Sequence, residues 1–203
     1  AGSRPDVTVI LDRPAPEAID IYASDPDRIV CMTTHGRGRL RWAALGSTAE
    51  HVVRHARRPV VLVGRHCSPD WPGRLERVLL CNDGKGIHDP AVPVAAEWAS
   101  ALGIPAQVLY VAHPLDTSPD RPPATLDRVV AKLRGEGVDA SAICRVSTYV
   151  PGAIADDVGE TPATIVVMAS HARTGVARVA LGSVAMGTVA LSQCPVVVTR
   201  GKD

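Results

Sequence analysis

Hydrophobic residues recur along this chain in two alternating kinds of run. Short, unbroken, β-branched runs read as strands buried on both faces. Stretches with apolar residues every three to four positions read as amphipathic helices. Strand-like runs lie at 7–11 (VTVIL), 29–32 (IVCM), 60–63 (VVLV), 78–81 (VLLC), 106–112 (AQVLYVA), 142–146 (AICRV), 165–168 (IVVM) and 196–198 (VVV). Helical patterns cover 14–24, 47–56, 89–102, 124–134, 152–159 and 184–192; in 124–134, Leu126, Val129, Val130 and Leu133 share one face. Pro16 and Pro90 fit first turns, where a missing N–H goes unnoticed, and Pro93 predicts that the third helix becomes regular only later. Asp25-Pro26-Asp27, Gly103-Ile104-Pro105 and Gly135-Glu136-Gly137 are stops. Strand and helix alternate, so the expected class is α/β: an open, parallel, five-stranded sheet flanked by helices, of Rossmann-like type.

The same pattern occurs twice. Residues 29–64 align with 165–200 at a constant offset, with roughly 14 of about 36 positions identical. The second copy is complete and spans 75–203, a size typical of one domain. The first, 1–64, matches the second only from 138 onward and lacks counterparts of its first two strands and helices. Between them 65–74 reads as a linker, with Ser68-Pro69-Asp70 and Trp71-Pro72-Gly73 as turn signals. Half of an open sheet leaves an edge and faces uncovered. Three readings stand: the chain is a fragment of a larger tandem protein, another chain completes the half domain, or the half domain packs on the second repeat.

In both copies a strand runs through a small-residue loop into a helix N-terminus. Free backbone N–H groups and the helix dipole make this an anion-binding arrangement. Thr33, Gly36, Gly46 and Ser47 mark the first copy; Ala169, Ala172, Gly182 and Ser183 mark the second. This pattern resembles the universal stress protein family, whose signature is Gly, two residues, Gly, nine residues, Gly, then Ser or Thr. The spacing is kept in both copies, and the resemblance covers nearly the whole chain.

The resemblance implies an adenine-nucleotide α-hydrolase-like fold and an adenine-nucleotide site, with ATP and Mg²⁺ as the cofactor. By the same resemblance Asp83 and the Val111 backbone would take the adenosine part. The loop with Ala169 and Ala172, and then Gly182, Ser183 and Val184, would take the phosphates; Gly36, Gly46 and Ser47 are the first-copy equivalents. The chemistry suits: a carboxylate accepts from ribose or adenine, while a hydroxyl and N–H groups bind phosphate oxygens. Ala172 departs from the signature. If it must be left-handed, its Cβ costs about 1–2 kcal/mol. The first copy keeps Gly36, Gly46 and Ser47 but lacks the strand that would bear an aspartate. For Gly182 and Ser183, a plain helix start remains the other reading: Ser is a good N-cap and Gly permits a tight turn.

In the resembled family the last strand lies at the sheet edge and pairs across a two-fold. That implies a homodimer, or an intrachain pseudo-dimer through 60–63 and 196–198. Pro59 and Pro195 each remove a donor at a strand start, as suits an edge. Three functions are weighed: an ATP- or ADP-binding regulator of stress physiology, with slow hydrolysis at most; a nucleotide-free interaction module with a degenerate phosphate loop; and an enzyme of the related fold, for which no catalytic base is visible.

Composition narrows this further. With 46% hydrophobic residues, no Phe, three Trp and three Tyr, the core is aliphatic. A net charge near +1 without a basic block argues against nucleic acid, and Arg37-Gly38-Arg39-Leu40-Arg41 reads as a solvated loop. Five cysteines without a C-x-x-C pair argue against zinc or a disulfide framework. Cys31, Cys81 and Cys144 lie in apolar runs and read as core. With no long apolar span or signal peptide, the expected setting is cytoplasmic, without membrane contact. Lys85 lies outside any Walker pattern. His35 and His171 occupy equivalent loop positions, His113 is a lone loop histidine, and Asp156 and Asp157 read as a solvated helix face.

Overall fold

The computed structural model describes residues 7–25, 27–34, 45–68, 73–84, 86–116, 123–170 and 181–200. Four elements belong to the first repeat: α1 (Ala15–Ala23), β1 (Val30–Thr33), α2 (Ser47–His55) and β2 (Val60–Val63). Nine belong to the second: β3 (Arg77–Cys81), α3 (Ala91–Leu102), β4 (Ala106–Ala112), α4 (Ala124–Gly135), β5 (Ala140–Val146), α5 (Val150–Glu160), β6 (Thr164–Ser170), α6 (Ser183–Leu191) and β7 (Val196–Arg200). Pro93 lies in the first turn of α3, where its missing N–H has no helical partner. Gly103 ends that helix at φ +64°, in the left-handed conformation that glycine adopts without strain.

The strands form one seven-stranded sheet in the order β1-β2-β7-β6-β3-β4-β5. The five strands expected for the second repeat are all present, and the two of the first repeat extend the same sheet. Every neighbouring pair is parallel except β2 and β7, which run antiparallel. The register there joins Val60 to Val198, Val61 to Val197 and Leu62 to Val196.

The sheet has two cores. On one face, Val78, Leu80, Val108, Val167, Val61 and Val197 pack under α3 and α4. On the other, Leu79, Leu109, Val166, Met168, Val60 and Leu62 pack against α2, α5 and α6. The aliphatic composition is what allows thin, tightly interlocked layers of this kind.

Two sequence expectations fail in the first repeat, for one reason. Residues 7–11 form no strand, and Val7, Val9 and Leu11 are exposed. Their counterparts in the second repeat, 143–147, lie in β5 but for the last, and β5 pairs with β4. Among the described residues no strand stands in the place of β4 beside this run, so it has nothing to bond to. Likewise Cys31 is exposed rather than core. Its counterpart Val167 is sealed beneath α3, and among the described residues no such helix covers Cys31.

A third correction concerns α5. Asp156 is exposed as expected, but Asp157 is only 1% exposed. Its carboxylate accepts from Arg77 Nη2 and Arg145 Nη2, each at 2.8 Å. Arg77 also donates to Thr164 Oγ1 at 2.8 Å, to the Asp157 carbonyl at 2.9 Å and to Gln107 Oε1. A charge buried this far is stable only because each side of it is paired.

Candidate functional site at the sheet switch point

The chain lays β4 and β5 on one side of β3, then returns to place β6 and β7 on the other. Strand order therefore reverses between β3 and β6, and ligands in open sheets sit beyond the carboxyl ends at such a point. Cys81 pairs with Leu109 of β4 and with Met168 of β6, so the three strands end side by side. Two residues past that rung come Asp83, Val111 and Ser170. The structure thus brings Asp83 and Val111 together with the end of β6, where Ala169 lies.

Asp83 is exposed, on the loop after β3. A polar frame holds this loop. Asn82, buried, donates through Nδ2 to Asp89 Oδ2 at 3.2 Å and to the Gly86 carbonyl at 3.3 Å, while its Oδ1 accepts from Gly84 N–H at 3.0 Å. Asp89 Oδ1 in turn accepts from Ala91 N–H at 2.8 Å, at the start of α3. Thr125 of α4 donates to the Gly84 carbonyl at 2.8 Å. Gly84 turns at φ +84°, and a Cβ there would stand 3.3 Å from the Tyr110 ring. Asn82 and Asp89 were not singled out from sequence, although Asn-Asp-Gly is a turn signal and an Asp just before a helix is a capping signal.

Val111 is half-buried near the end of β4, its side chain against the core under α5 and α6. Tyr110, beside it, has its phenol pushed up by burial, with Asp116, Cys144 and Asp83 adding to the shift. Two carboxylates, Asp83 and Asp116, thus lie near this end of the site. His113 is ordered by its turn: its N–H donates to Asp116 Oδ2 at 2.8 Å, and its Nδ1 accepts from Leu115 N–H at 3.2 Å.

The other end is the N-terminus of α6. Gly182 occupies the N-cap position at φ −58°, Ser183 opens the helix, and no side chain caps it. Gly46 and Ser47 repeat this in α2, with Gly46 at φ −55°. The plain helix-start reading is thus corrected in detail: glycine, not serine, is the N-cap, and neither glycine needs a left-handed conformation. The first in-helix bond at each end runs from the fourth residue on, Met186 N–H to the Gly182 carbonyl (2.9 Å) and Glu50 N–H to the Gly46 carbonyl (3.0 Å). The preceding N–H groups point out of the helix end. Ser183 and Val184 are exposed, and Ala169 is buried. Gly36, Ala172, His35, His171 and Lys85 lie outside the described residues.

The fold and the site define an α/β protein with an open, doubly wound sheet and a switch point flanked by a carboxylate loop and an uncapped helix N-terminus. The chain belongs to the universal stress protein family, whose model matches residues 1–64 and 74–200. The sheet is also similar to that of solved members. A universal stress protein from Archaeoglobus fulgidus DSM 4304 superposes with a TM-score of 0.68 at 22% identity, over 93% of this chain and 66% of that one. The chain thus spans about two thirds of that relative's length. A second Archaeoglobus fulgidus universal stress protein gives 0.53 at 22% identity, over 61% of this chain and 97% of that one. A universal stress protein in complex with cAMP gives 0.52 at 20% identity, over 64% of this chain and all of that one (100%). No curated protein matches the sequence. Among the described residues, no helix is long and apolar enough to cross a membrane.

Proposed function

We propose that this protein is an adenine-nucleotide-binding regulator, with its site at the switch point of the second repeat. The observation that carries this reading is the polarity of the site: carboxylates at the ends of β3 and β4, an uncapped helix N-terminus at α6. Carboxylates of Asp83 and its neighbours repel phosphate and accept from ribose hydroxyls or the adenine amino group. The α6 N-terminus, with Gly182, Ser183 and Val184, offers N–H donors and positive potential to phosphates. Ala169 and Ala172 belong to the loop between. A protein of this fold solved with cAMP supports the ligand class.

In this reading ATP with Mg²⁺ is the ligand, and the chain divides as 1–64, linker 65–74 and 75–203. In the same reading the two repeats, joined by the antiparallel β2–β7 pairing, act as an intrachain pseudo-dimer. The free thiols suit a cytoplasmic setting. Gly36, Gly46 and Ser47 are the first-repeat equivalents of this phosphate end. A second reading, a nucleotide-free interaction module, is favoured by one observation: alanine stands at both 169 and 172 where the family signature has glycine.

Calorimetric titration of the full chain with ATP and Mg²⁺ separates the two. Saturable binding that Asp83→Ala abolishes supports the nucleotide reading. No binding by the native chain, with binding gained by Ala172→Gly, overturns it in favour of the interaction module.

A further inference from the structure

We infer that Asp20, His51 and His55 form a binding site for a divalent transition-metal ion, zinc above all, which clips α1 to α2 in the first repeat. Asp20 lies on α1, and His51 and His55 lie one turn apart on α2. The Nε2 atom of His51 is 3.0 Å from Asp20 Oδ2, and the His51 and His55 ring centroids are 4.1 Å apart. One ligand atom from each of the three residues lies within 4.8 Å of the others. Around a tetrahedral zinc, with bonds of about 2.0–2.2 Å, ligand atoms stand roughly 3.3 Å apart. The Asp20–His51 separation is already close to that, and the remaining gap, under 4.8 Å, closes by small shifts of the three side chains that keep the His55 Nδ1 contact.

The supporting contacts fit ligation. His55 Nδ1 lies 2.9 Å from the His51 carbonyl, and a carbonyl only accepts, so this nitrogen carries the proton. Its Nε2 is then left with the lone pair a metal needs. A backbone carbonyl fixing a histidine tautomer in this way is the usual outer-shell arrangement of metal-bound imidazole. Two imidazoles and one carboxylate favour zinc, nickel, cobalt or copper over magnesium or calcium, and leave one position for water.

The second repeat shows that this cluster is not a by-product of the helix pair. There α5 and α6 carry Asp156, Gly187 and Leu191 at the same three positions. Pro151 presses on Gly187 so closely that a Cβ would stand 2.7 Å from its ring. In the first repeat Ala15 stands where that proline is, and His51 where that glycine is. The aspartate is common to both copies; the two histidines are particular to the first.

The alternative is an ordinary His51–Asp20 hydrogen bond beside a stacked histidine, with no affinity for metal. Titration of the full chain with Zn²⁺, followed by calorimetry and by thermal melting, decides between them, with Mg²⁺ as the control. One equivalent of zinc should bind and raise the melting temperature. Affinity should fall by roughly tenfold or more in His51→Ala and in Asp20→Asn. His55→Gln, at an exposed position, keeps the melting temperature of the metal-free protein and should still lose zinc. The proposal is overturned if the native chain takes up no zinc. It is equally overturned if binding survives all three substitutions and disappears on blocking the thiols, since that would assign the metal to cysteine.

Discussion

Val61 and Val197 lie directly opposite each other in the β2–β7 ladder, and each is the other's counterpart in the repeat. The flanking pairs, Val60 with Val198 and Leu62 with Val196, are exchanged by the same two-fold. The axis relating the two copies therefore passes between these two valines, inside a shared core. Val61→Ala and Val197→Ala should each destabilise the fold by about 2 kcal/mol. Because the side chains share one site, the double mutant should depart from additivity by roughly 0.5 kcal/mol or more. Urea unfolding of the four variants measures this, and strict additivity would mean that the two valines do not touch.

The buried carboxylate of Asp157 has a different sensitivity. Removing it by Asp157→Ala leaves Arg77, itself 13% exposed, without its ionic partner. A loss of about 3–5 kcal/mol is expected, the range for breaking one side of a buried pair. Glu160→Ala removes only the exposed arm of the same network and should cost under about 1 kcal/mol. Equal losses for the two variants would sink this account.

Gly64 and Gly46 make a contrasting pair. A Cβ on Gly64 would lie 1.9 Å from the Val189 carbonyl oxygen of α6, a backbone atom that cannot step aside. A Cβ on Gly46 would meet the Thr34 carbonyl at 3.5 Å, an ordinary contact. Gly64→Ala should destabilise by about 1–3 kcal/mol by forcing the two repeats apart. Gly46→Ala should cost no more than about 1 kcal/mol through the poorer cap. Melting temperatures of the two variants test the ranking.

The thiols predict a pH dependence. Burial pushes the Cys194 thiol up to about 12 from an ordinary value of 9.0, and burial pushes Cys81 up as well. The unfolded chain releases these protons first, so their contribution is intact below pH 9 and is lost as pH rises towards 12. Between those limits each thiol should lower stability by about 1.4 kcal/mol per pH unit. Cys194→Ala should flatten the alkaline slope relative to the native chain. At pH 8, iodoacetamide should label Cys31 and leave Cys194 untouched, because Cys31 is exposed and Cys194 is buried.

Much of the fold was legible because each element reads locally and then reads again a repeat later. Residues 60–63 and 106–112 were bounded as they occur, and every strand and helix of the second repeat was found to within a few residues. What failed depended on neighbours the pattern does not contain. The run at 7–11 has every mark of a strand, yet a strand exists only beside another. Cys31 lies in the same apolar run as its counterpart Val167, but only one of them has a helix above it. Asp157 reads as surface until Arg77, 80 residues away, and Arg145, 12 residues away, close over it. At the switch point, family resemblance alone named Asp83, Val111, Gly182 and Ser183 as candidates. The Asn82–Asp89 frame was not, because a buried polar pair has no periodicity.

The β2–β7 ladder joins the repeats through three residue pairs, and without them β7 would be the outer strand of the second repeat. Any excursion that detaches β2 bares the run Val196, Val197, Val198, an apolar edge with its hydrogen-bonding groups free. The β2 of another molecule fits that edge as well as the chain's own, residue for residue. Two molecules that open together can therefore trade first repeats and close again with no contact changed. The ladder that unites the chain is also the place where it can exchange partners, at a rate set by how often these three pairs and the core packed on them come apart.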